Sequence, residues 1–280
     1  IPGKHINNMA NIEIKKRVKP TSFRKFAIGA WKKPSDPKVY TKIKIDITHL
    51  KKLLDEKTET ISLVHFFAKA MGIIYEKYPE LNTVLIGNKC YQRKNITAFI
   101  HTHIRKQNHY DLSGITIEHT HQKSLKEIST EIKEKVNELR NNQNKAINRT
   151  NTILKCCPSW SYQLLVSLFD FIMNRLNINL SWAGLPKDPF GSYGISAIGS
   201  LGFEEGFVPL FPLSRLTMIL AVGKPFKEWS FETEKPKKHL MINLCFTLDH
   251  RYLDGAHVAK PLRLLKKIAL NPSKYGITFD

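Results

Sequence analysis

Chemistry in this chain concentrates near the C-terminus, in Phe246-Thr247-Leu248-Asp249-His250-Arg251-Tyr252-Leu253-Asp254-Gly255. A histidine ionises near neutrality, so His250 is suited to take up and return a proton as a general base. Asp254, four residues on, can fix the loop that carries it, and Gly255 permits a tight backbone turn. Spacing alone does not separate such a base from a histidine that merely closes a strand end. A second group is His101, His103, His119 and His121, two pairs at i, i+2 spacing. Four histidines can hold zinc. No cysteine or carboxylate is placed with them, so we read them as solvent-facing strand residues and expect no metal.

The elements around His250 are what make it a candidate. Leu240 to Leu248 reads as a strand delivering the histidine, and a helix from about Ala256 to Leu270 follows, with Val258, Leu262, Leu265 and Ala269 on one face. Upstream, Val39 to Ile47 alternates as a half-exposed strand, and Thr48 is expected to cap a short helix through Leu54. Ser62 to Tyr78 has helical spacing, stopped by Pro79. Strands are predicted at Val84 to Ile86, Cys90 to Gln92 and Ile96 to Ile104, and an amphipathic helix at Ser124 to Leu139. Asn141 to Thr152 reads as a loop. Gly194 to Ile198 and Leu216 to Val222 read as strands. Cys156 to Trp182 is unusually apolar, but Asp170 and Arg175 interrupt it and it is too short for a membrane span. A buried or interface helix is expected there, in preference to a peripheral membrane contact.

With 280 residues and 42% hydrophobic side chains, the chain has material for a large globular core. Its formal net charge is +20, with the basic residues spread along its length. No helix-turn-helix, zinc finger or aromatic RNA platform accompanies them, so nucleic acid is not an expected partner. The field would favour a polyphosphate cofactor. Cys90, Cys156, Cys157 and Cys245 form no paired framework, which predicts a cytoplasmic protein without disulfides. Residues 1–8, before Met9, read as an appended or processed segment.

As D-H-R-x-x-D-G-A between strand and helix, the His250 stretch resembles the active-site motif of the dihydrolipoamide acyltransferases of 2-oxo acid dehydrogenase complexes. Their relatives, the chloramphenicol acetyltransferases, share its H-x-x-x-D-G core. Further stretches are similar in the same order. Tyr40 to Leu50 matches a strand ending in I-D-x-T-x-L, His65 to Asn82 a helix ending in P-E-L-N, and Lys123 to Val136 a helix carrying S-L-x-E-I. Tyr193 to Gly202 resembles F-T-I-S-N-L-G, and Ile219 to Gly223 repeats I-L-A-V-G.

The resemblance implies an α/β sandwich of the chloramphenicol acetyltransferase type, with a mixed central sheet flanked by helices. It implies a homotrimer with active sites between subunits, and a cubic or dodecahedral core is left open. The domain plan it suggests is an extension or linker at 1–21 and a catalytic domain at 22–280, with the apolar insert at about 156–182. The implied reaction moves an acyl group between coenzyme A and a thiol, hydroxyl or amine, a lipoyl-type acceptor among them. His250 would be the base and Ser196 the oxyanion donor, with Ser200 the substitute if the register slips. Asp254 would be a buried carboxylate holding the His loop through a cation, Arg24 or Lys32, with Arg251 a local partner. Neither a lipoyl nor a peripheral subunit-binding domain is read in the chain, so a diverged stand-alone member is expected. Ala197 and Ile198 replace the family's Asn and Leu, and Phe203 to Pro212 is unlike the family loop. A non-catalytic scaffold and a drug acetyltransferase are the competing readings.

Overall fold

The alternation from Val39 to Ile45 forms β1 (Lys38–Asp46), burying Ile45 and exposing Tyr40. The Asp46 carboxylate then accepts hydrogen bonds from the Thr48 backbone N–H (2.8 Å) and hydroxyl (2.6 Å), turning the chain into α1 (Thr48–Asp55). Thr48 is thus the first helical residue and not the expected cap; Ile47 occupies the cap position and Asp46 supplies the acceptor. This computed structural model describes residues 37–56, 61–86, 89–106, 109–141, 164, 167–168, 170–180, 187–211, 213–231 and 236–279. The expected extension at 1–21, Arg24, Lys32, nearly all of the 141–152 loop, and Cys156, Cys157 and Trp182 of the insert lie outside the described residues.

Helix α2 (Leu63–Lys77) opens with the His65 Nδ1 accepting from the Ser62 N–H at 3.1 Å, and it ends before Pro79. A small hairpin follows, β2 (Thr83–Ile86) against β3 (Lys89–Gln92). Strands β4 (Thr97–Lys106) and β5 (His109–Glu118) form a long antiparallel pair. Helix α3 (Leu125–Arg140) starts on a reciprocal cap between Ser124 and Glu127. The remaining elements are β6 (Tyr193–Ser196), β7 (Met218–Val222), β8 (Phe226–Ser230), β9 (Lys237–Asp249) and α4 (Gly255–Leu270).

The main sheet runs β1-β9-β7-β6-β4-β5, with β8 also paired to β9. β6 is parallel to both β4 and β7, and the other pairs are antiparallel, so the sheet is mixed as expected. The long strand β9 organises it. Its first part pairs with β8, its second with β7, and β1 lies along its other edge from Met241 onward. Leu220, Val222, Leu244, Phe246 and Leu248 point from the sheet into a core with Phe66, Phe67 and Ile74 of α2 and Leu265 and Ile268 of α4. The opposite face carries Ala221 and Cys245, covered by Ile198 and Val208. Described apolar residues of the insert (Leu164, Leu168, Phe171, Leu176 and Ile178) are exposed, and Leu180 is buried. Burial within this chain therefore does not account for the apolar character of those five exposed residues. Among the described residues no helix is long and apolar enough to cross a membrane.

Candidate active site

His250 stands at the first position after β9, exposed, on a turn whose backbone is held at every residue. Its own N–H donates to Pro37 O at 2.7 Å, and Asp249 N–H donates to Thr217 O at 3.0 Å. The N–H groups of Tyr252 (3.0 Å) and Leu253 (3.2 Å) close onto Asp249 O. The Asp249 carboxylate, with its side chain 8% exposed, accepts from the Arg251 backbone N–H at 3.0 Å and from its guanidinium through both oxygens. This charge-assisted fork is the strong kind of hydrogen bond. Asp249 holds the Arg251 guanidinium above its usual pKa, with smaller contributions from Tyr252 and Asp170. One residue further, the Tyr252 hydroxyl accepts from Leu85 N–H at 3.2 Å and ties the turn to β2.

Asp254 sits elsewhere in this scheme than the motif suggested. It caps α4, accepting from the N–H groups of Ala256 (2.9 Å) and His257 (3.1 Å), and meets the His257 ring at 2.9 Å. The His257 and Ala256 N–H groups hold its carboxyl below the usual range. Its side chain is half-exposed, and the buried carboxylate at the turn is Asp249. Asp249 and Arg251 flank the histidine in D-H-R, and their i, i+2 spacing was the available signal for this clamp.

Ser196 ends β6 and is 6% exposed; its hydroxyl has no hydrogen-bond partner among the described residues. It stands opposite Ala221, which stands opposite Cys245, which stands opposite Lys42. Residues paired in register share a face, so a row of small side chains crosses the sheet beside Ser196. The unusual loop after β6 roofs this row. Val208 packs on Ala221 and Cys245, Phe207 meets the Tyr40 ring edge-on at 5.3 Å, and Glu205 pairs with Lys42 at 2.5 Å. The roof seats closely only because its floor is glycine. A Cβ on Gly223 would lie 2.1 Å from Glu204 O, and one on Gly199 would lie 2.6 Å from Gly223 O. Burial raises the Cys245 thiol pKa, although the Gly206 N–H bonds to it. Ser200, the substitute for Ser196, is exposed and donates back to Ala197 O at 2.6 Å.

His250 and Ser196 are not brought together within one chain. Ser196 is level with Cys245 across the sheet, and His250 lies five residues beyond it along β9. At the strand rise, that separation is about 17 Å along the strands alone. Of the four histidines, three have described side chains. His101 packs edge-on against Phe99, the His119 and His121 rings are 6.0 Å apart, and nothing is described of the His103 side chain. Among the described residues no group of three His, Cys, Asp or Glu is placed to hold a metal ion.

The 2-oxoacid dehydrogenases acyltransferase (catalytic domain) family model matches residues 14–153 and 190–277. The first match begins inside the segment expected as an extension, and the gap spans the apolar stretch. No curated protein matches the chain. Among solved structures, a probable dihydrolipoamide acetyltransferase from Listeria monocytogenes 4b F2365 is 20% identical with a TM-score of 0.63, covering 95% of this chain and 98% of that one. The cubic core of the pyruvate dehydrogenase multienzyme complex is 18% identical with a TM-score of 0.61, covering 99% of both chains. The dihydrolipoamide acetyltransferase of Azotobacter vinelandii is also 18% identical, with a TM-score of 0.60 and 99% of both chains covered. At such identities the likeness is one of fold. The family match carries the assignment: this chain belongs to the 2-oxoacid dehydrogenase acyltransferase catalytic-domain family and is an acyltransferase.

Proposed function

We propose that the protein moves an acyl group between coenzyme A and a thiol, hydroxyl or amine acceptor, in a homotrimer whose active sites lie between subunits. His250 of one subunit is the general base and Ser196 of the next is the oxyanion donor. One ring nitrogen of His250 takes the proton of the acceptor as it attacks the thioester carbonyl. Four bonds to carbon then leave a negative oxygen, which the Ser196 hydroxyl stabilises by donating a hydrogen bond. Collapse expels the coenzyme A thiolate, and the imidazolium returns the proton to it. Asp254 holds the start of α4 behind the base, and Asp249 with Arg251 fixes the turn.

The observation that carries this reading is the separation of His250 from Ser196 by about 17 Å within one chain. A base and an oxyanion donor must both lie near the reacting carbon, so a second subunit has to supply one of them. In support, the Azotobacter vinelandii enzyme has been investigated for the roles of a serine, a histidine and an asparagine in its catalytic mechanism. The related cubic core gives precedent for higher assembly of such chains. Free Cys90 and buried Cys245 suit a reducing cytoplasm.

The test is turnover of acetyl-CoA with dihydrolipoamide, chloramphenicol and small amines as acceptors, following acetyl-CoA and coenzyme A chromatographically. His250→Ala is expected to abolish whatever transfer the native protein shows. Undiminished turnover in that variant would remove His250 from the role of base.

A further inference from the structure

Asp170 lies in the stretch between the two family-matched regions, on a single π-helical turn, Asp170–Arg175, packed against β2. Its carboxylate meets Arg215 Nη2 at 2.5 Å. Arg215 is held in a left-handed backbone conformation (φ 52°), which an arginine adopts only under constraint. Its carbonyl accepts from Arg93, which in turn pairs with Asp188. Two residues after Arg215 comes Thr217, whose carbonyl receives the Asp249 N–H. Charges therefore alternate across the base of the His250 turn: Asp249, Arg251, Asp170, Arg215.

We propose that Asp170 is a positioning residue for the His250 turn, a brace drawn from the stretch outside the family match. Two routes converge on Asp249. Through Arg215, Asp170 fixes the entry to β7, which hydrogen-bonds Asp249. Its negative charge also favours the ionised form of the Arg251 guanidinium that Asp249 grips. Without Asp170, Arg215 loses the carboxylate it pairs with, the entry to β7 is freed, and the Thr217–Asp249 hydrogen bond that anchors the turn loosens. The inference rests on the reading of His250 as base for its functional meaning, but the brace is measurable without any substrate.

Amide hydrogen exchange of the full protein reads it directly. The N–H groups of residues 249–253 are all bonded in the turn, so loosening exposes them to solvent. Asp170→Asn is expected to speed exchange in this segment about tenfold, while β6 and α3 keep their native rates. Asp170→Glu restores the slow exchange. Arg251→Ala speeds the segment by itself, and adding Asp170→Asn to it speeds exchange by clearly less than the product of the two single effects, since both act on one clamp. Unchanged exchange at 249–253 in Asp170→Asn, an acceleration shared equally by β6 and α3, or full additivity with Arg251→Ala would overturn the proposal. Failure of the catalytic reading shows up separately, as acyl transfer that survives His250→Ala.

Discussion

Ser196 is chemically ordinary until its surroundings are counted: a serine 6% exposed whose hydroxyl has no partner among the described residues, at the end of a strand, beside alanine and cysteine. With no competing partner among the described residues, that hydroxyl can donate to a developing oxyanion. Ser196→Ala is accordingly expected to lower kcat about 100-fold or more while KM for acyl-CoA changes little, as for other single oxyanion donors. A rise in KM with kcat unchanged would assign Ser196 to ground-state binding instead. At this scale the sequence carries residue types more openly than it carries their partners. The motif marked His250 and Ser196. It gave Asp254 the buried role, although the buried carboxylate at the turn is Asp249. Adjacent carboxylates in one motif have similar patterns in sequence, and only the direction in which the strand leaves the core separates them.

Elements with a strong apolar period were legible: α2, α3, α4, β7 and the second half of β9 lie where the patterning put them. Strands β5 and β8 were not. β5 contains Gly114, which weakens a strand pattern; in the fold the glycine gives room for the Phe99 ring, which lies where a Cβ would be. β8 alternates between half-buried and exposed residues and includes Lys227 and Glu228, so it lacks an apolar face to read. Helix α2 shows what burial does to a cap. Its His65 ring accepts from the Ser62 N–H, and burial, aided by the positive Lys133, pushes the imidazole down to about 4. An unfolded histidine titrates near 6.5, so between those values the unfolded chain binds the extra proton. The stability from a neutral His65 is complete above about pH 6.5 and is lost as pH falls toward 4, by about 2–4 kcal/mol in all. Urea unfolding at fixed protein concentration should show that loss between pH 7 and pH 4.5, and His65→Gln should flatten it. An equally steep loss in the variant would place the pH sensitivity in other groups.

For the molecule as a whole, the ordered family stretches conveyed the architecture: a mixed sheet, helices on one face, and a second face roofed by a loop. The unmatched stretch could not be read the same way, because five of its described apolar residues are exposed in the single chain and apolar periodicity predicts burial without naming what covers it. The separation of His250 from Ser196, the proposed base and oxyanion donor, is likewise a property of strand order, since β7 intervenes between β6 and β9 and β9 runs against both. Subunit complementation tests this claim most directly. His250→Ala and Ser196→Ala are each expected to be inactive or nearly so. When the two are dissociated, mixed in equal amounts and reassembled, a cyclic trimer with shared sites should place a native His250 beside a neighbour's native Ser196 in about a quarter of its sites. The mixture is then expected to recover about a quarter of native activity. A mixture no more active than its components would contradict a site shared between subunits.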